Sequence, residues 1–133
     1  MTRGVLVTAA LTAIAVVVAV LLWPSSQGPA TSTVHLGRTA VTLTVHDPKQ
    51  GANTLEIAVT DDTGQPVTGN TVGTVTVELV MPQMGHALPP VTATPAGPGH
   101  YHAPNTDIPM PGVWEVTVSL PDIGDAVFSL PVT

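Results

Sequence analysis

Six side chains carry the metal chemistry open to this sequence: Met81, Met84, His86, His100, His102 and Met110. Thioether sulfur and imidazole nitrogen suit Cu(I), and imidazole also suits Cu(II), by ligand softness. Met84 and His86 are two positions apart, and so are His100 and His102. In an extended chain such pairs point to the same side, which favours chelation. If Tyr101 faces the core, His100 and His102 both face outward, free either to share one ion or simply to meet water. Zinc is served less well, because methionine is a poor zinc ligand and only histidines and scattered carboxylates remain. The competing explanation is packing. Methionine fills irregular core gaps, and Met81 and Met110 fall where strands end. Residue types and spacing leave that choice open. His35 and His46 flank a strand and are read as structural or solvent-facing groups.

Catalysis has little to stand on, and the chain is expected not to be an enzyme. There is no cysteine, no G-x-S-x-G, no H-E-x-x-H and no glycine-rich phosphate loop. The pair Asp61-Asp62 opens a turn containing Gly64, where Asp is favoured for its own backbone hydrogen bonds. Without cysteine no disulfide braces the fold, and a soft site outside the cell would have to use Met and His.

The elements that must position these residues begin with a segment of another kind. Gly4 to Trp23 is a run of twenty residues without a charge. As a helix it would be roughly 30 Å long, the thickness of a bilayer's hydrocarbon core. A cleaved secretory signal has a shorter apolar region, about 7–15 residues, so residues 1–23 are read as a membrane anchor or an uncleaved signal. Arg3 precedes the run and no Lys or Arg follows until Arg38. The positive-inside rule then places the N-terminus in the cytoplasm and the rest on the extracytoplasmic side. Beyond the run stand Arg38 and Lys49 against all nine carboxylates. That acidity argues against nucleic acid as a partner and is compatible with cations.

Residues 24–33, PSSQGPATST, read as a flexible spacer. From 34 to 133 the pattern is strand after strand. TAVTLTV (39–45), ANTLEIAV (52–59) and VGTVTVELV (72–80) alternate apolar and polar residues. A proline-rich loop follows, then GHYHA (99–103) as a short strand, IPMPG (108–112) as a turn, and VWEVTVSL and DAVFSLPV as the last strands. Six or seven short strands joined by Gly/Pro turns predict an all-β, immunoglobulin-like β-sandwich.

From about Val41 to Val132 the chain resembles the YtkA-like domain family, and more distantly the FixH-type and CopC-like copper-associated β-sandwiches. The residues that carry the likeness are TDDTGQPV at 60–67, MPQMGH at 81–86, GHY at 99–101 and MPGVW at 110–114. The resemblance implies an immunoglobulin-like sandwich outside the membrane. It also implies a part in copper handling, either in resistance and transport or in delivery to respiratory oxidases, with a membrane protein as partner. By position it singles out Met81, Met84, His86 and Met110 as a metal cluster and Tyr101 and Trp114 as core markers; His102 is not part of that pattern. CopC-like proteins usually begin their mature chain with a liganding histidine, and a spacer running on from a membrane helix does not offer one. The expectation is therefore a membrane-anchored copper carrier or accessory factor. The alternative is a protein–protein module, an accessory subunit of a membrane complex, whose MPQMGH and MPG segments only pack.

Overall fold

Alternation of valine, leucine and isoleucine with threonine and charged residues dictates strands with one buried face, and the chain builds two antiparallel sheets from them. A computed structural model describes residues 28–68 and 72–133. The anchor expected over residues 1–23 lies outside those residues. Among the described residues no helix is long and apolar enough to cross a membrane.

The described residues form ten strands: β1 Ala30–Leu36, β2 Thr39–Val45, β3 Gly51–Asp61, β4 Thr76–Met81, β5 His86–Ala87, β6 Val91–Thr92, β7 Thr94–Gly97, β8 His100–Ile108, β9 Gly112–Leu120 and β10 Gly124–Val132. One sheet has the order β1-β2-β3-β8-β7; the other has β10-β9-β4-β5, with β6 also paired to β4. Seven strands are six residues or longer, and the three shorter ones come from the proline-rich stretch expected to be loop. Every pairing among the described residues is antiparallel.

Between the sheets, Val41, Leu43, Val45, Leu55, Ile57 and Val59 face Val77, Leu79, Val116, Val118, Phe128 and Leu130, all buried. Each such side chain contributes about 1.5–3 kcal/mol by leaving water. A one-residue slip of any strand would turn its whole set outward, so burial fixes the register. Trp114 is the largest fully buried side chain, and Tyr101 and Phe128 are buried with it.

Two elements differ from the sequence expectation. Strand β1 takes in residues 30–33, which composition assigns to the spacer. Val34 and Leu36 pack on the core while Thr33 hydrogen-bonds Thr42 across the strands at 2.8 Å. Strand β8 runs to Ile108 although its alternation is legible only to Ala103. Its register against β3 shifts between Asn53 and Leu55, and Asn105 adopts a left-handed conformation at φ 55°. The bulge resets the phase, so that Thr106 and Ile108 are buried after Tyr101 and Ala103. Where β2 turns into β3, the buried Asn53 donates to the carbonyls of Lys49 and Gly51 at 2.7 and 2.8 Å.

Candidate metal centre

Strand β4 buries Val77, Leu79 and Met81 in turn, which places the Met81 thioether at one end of the core with only 5% of the residue exposed. Pro82 has no N–H to continue the ladder, and Pro82–Met84 form a single 3₁₀ turn. Gly85 ends the turn in the left-handed region, φ 59° and ψ 29°, and its N–H donates to the Pro82 carbonyl at 3.2 Å. The chain then doubles back, pairing His86 with Met81 and Ala87 with Val80. The two-apart spacing of Met84 and His86 therefore does not work as in an extended strand. It works through a reversal that puts His86 directly opposite Met81, where cross-strand Cβ atoms stand about 4.5–5.5 Å apart.

Residues paired in this way share a face, so His86 lies over the open end of the core. Its ring meets the Trp114 indole edge to face, with centroids 6.1 Å apart and an interplanar angle of 76°. The indole Nε1–H donates to the Met110 carbonyl at 3.1 Å, which fixes the turn entering β9. Met110 is half-buried against the same core. Gly112 completes the arrangement: at φ 140° it occupies a conformation side chains avoid, and a Cβ there would lie 2.9 Å from the Met81 Cε. His86 and the Met110 carbonyl thus both meet Trp114, and the Met81 thioether ends beside Gly112, two residues before it, while Met84 stands at the apex of the turn, 67% exposed.

The six candidate residues do not form one cluster. His100 and His102 flank the buried Tyr101 on β8 and face outward from the opposite sheet, as expected if Tyr101 faces the core. A metal held by Met81, Met84, His86 and Met110 is out of their reach, because the two layers lie about 10 Å apart and these two rings point away from the other sheet. On their own face they have company that sequence spacing does not announce. His46 Nε2 and Glu56 Oε2 are 3.0 Å apart, and Glu56 is paired directly with His102. Ten positions separate His46 from Glu56, and only the β2–β3 register brings them together.

The remaining marks of the sequence meet at the other end of the sandwich. Asp61 Oδ1 accepts from Thr63 N, Thr63 Oγ1 and Gln65 N at 2.9, 2.7 and 2.9 Å. These bonds, the Thr63 hydroxyl's first, hold the Asp61 carboxyl below its usual range. Asp62 pairs with Arg38 at 2.8 Å. Gly99 packs so closely that a Cβ would lie 2.7 Å from the Val59 carbonyl oxygen and 2.8 Å from the Pro66 Cβ. TDDTGQPV and GHY are thus a turn and the glycine packed against it, whereas MPQMGH and MPGVW meet around Trp114.

Among the described residues no three His, Asp or Glu side chains converge on one point. At the Trp114 end, metal chemistry would rest on thioethers with one imidazole, a donor set that fits a soft monovalent ion.

The sequence model of the YtkA-like family matches residues 33–119. No curated protein matches the chain.

Proposed function

Since the chain belongs to the YtkA-like family, we propose that it is a membrane-anchored, extracytoplasmic copper-binding protein. It would act as a carrier or accessory factor in copper handling or in the metallation of a respiratory oxidase. The observation that supports this reading best is the pairing of an exposed thioether with an enclosed one. Met84 stands in solvent at the turn apex, and His86 lies directly opposite the buried Met81 over Trp114. Cu(I) is captured at Met84 and held by His86 with the sulfurs of Met81 and Met110. A ligand on an exposed turn exchanges readily with a partner's ligand; one anchored in the core does not. The same arrangement serves transfer better than catalysis.

A competition titration with a Cu(I) chelator on the full chain in detergent micelles tests the proposal. The wild type binds one Cu(I), and the Met84→Ala, His86→Ala double variant loses at least a hundredfold in affinity while its circular dichroism is unchanged. Equal affinity in the two proteins would sink the assignment. A second reading, an accessory subunit without metal, draws support from Val113 and Val127. These stand 47% and 48% exposed on the outer face of the β10-β9-β4 sheet, beside Pro82 and Gln83. It is what remains if the titration finds no Cu(I) bound.

A further inference from the structure

The outer face of the β1-β2-β3-β8-β7 sheet carries four of the chain's five histidines. Inward Val34, Val45 and Tyr101 leave His35, His46, His100 and His102 outward, with Glu56 among them. We propose that His46, Glu56 and His102 form a second metal site, separate from the methionine end, that takes a divalent cation of the Zn(II) or Cu(II) kind.

The His46 Nε2 and Glu56 Oε2 atoms are 3.0 Å apart. Two ligand atoms bound to one ion at about 2.0–2.2 Å lie about 2.8–3.6 Å apart for angles from 90° to tetrahedral. The pair therefore already has the spacing of neighbouring ligands and needs only to exchange the shared proton for the ion. Glu56 and His102 are direct partners across β3 and β8, so their Cβ atoms lie within about 4.5–5.5 Å of each other. His102 does not converge on that pair as it stands, and it completes the set by turning its outward, half-buried side chain onto the carboxylate. The donors are nitrogen and oxygen without sulfur, which selects borderline divalent ions over Cu(I). The acidic balance of the sequence beyond the apolar run favours any cation there.

As an ion pair alone, His46–Glu56 is exposed on both sides, 65% and 51%, and contributes little to stability. Substitutions in it therefore leave the domain folded, which makes binding measurable. Zn(II) is titrated calorimetrically into the full chain in detergent micelles. One ion binds, and His46→Gln, Glu56→Gln and His102→Gln each weaken binding at least tenfold. His35→Gln and the Met84→Ala, His86→Ala variant bind as the wild type does. Absence of Zn(II) binding would overturn the proposal, as would binding indifferent to all three substitutions or lost with Met84 and His86. Because the Cu(I) titration reads the opposite sheet, either site can fail without the other.

Discussion

Met81 is asked to do two things, to fill the end of the core and to present a sulfur, and one pair of substitutions separates them. Met81→Ala removes a side chain that is 5% exposed and in contact distance of Gly112. Truncations of this kind cost about 2–5 kcal/mol, the loss of burial plus the cavity left behind. A domain of about 100 residues loses roughly 4–8 °C of melting temperature per kcal/mol, so Met81→Ala is expected to melt at least about 8 °C lower. Against a total stability of about 5–15 kcal/mol the larger value would leave the domain barely folded. Met81→Leu nearly keeps the volume, costs less than about 1.5 kcal/mol and deletes only the sulfur. Melts followed by far-ultraviolet circular dichroism give the packing contribution, and chelator competition at a temperature where both variants are folded gives the ligand contribution. The expected pattern is a large melting shift for Ala, a small one for Leu, and weaker Cu(I) binding, tenfold or more, for both. Leu that binds like the wild type would make Met81 packing alone. Ala that melts within 2 °C of the wild type would refute the buried placement itself.

Other consequences are as specific. Gly99→Ala forces a methyl group against the Val59 carbonyl and Pro66 at a positive φ, where backbone must move, so the domain should fail to fold or lose more than about 3 kcal/mol in a denaturant titration. Gly85→Ala meets open space and suffers only the left-handed backbone, about 1–2 kcal/mol, and should retain binding. Asn53→Ala orphans the Lys49 and Gly51 carbonyls and should cost about 1–3 kcal/mol in the same assay. The Asp61 carboxyl is held below the ordinary aspartate value of 3.8, so its stabilising bonds are present above that pH and lost as pH falls through the folded value. Melting temperature should therefore drop below about pH 4, and the drop should be smaller in Asp61→Ala.

The sequence makes the two-sheet fold legible because period-2 alternation survives in β2, β3, β9 and β10, where neither the register shift between Asn53 and Leu55 nor Pro131 near the end of β10 interrupts the buried set. It fails where the backbone breaks period. Pro104 and Asn105 bulge out of β8 and hide its second half, and threonines and serine in β1 imitate a linker until Val34 and Leu36 are seen on the core. At the site, the MPQMGH turn could be read from Pro82 and Gly85, since each forces its own backbone geometry. The division of the six residues could not. His100 and His102 match the methionines in chemistry, but strand order sends them to the other sheet. The neighbours they acquire there, His46 and Glu56, come from β-register and leave no mark in local spacing.

The most direct test of copper at the Trp114 end is X-ray absorption at the copper edge on the full chain loaded with one equivalent of Cu(I). Sulfur scatterers together with a single imidazole in the first shell, the sulfur contribution falling in Met81→Leu, are the predicted result. A first shell of nitrogen and oxygen alone, unchanged in that variant, would contradict it.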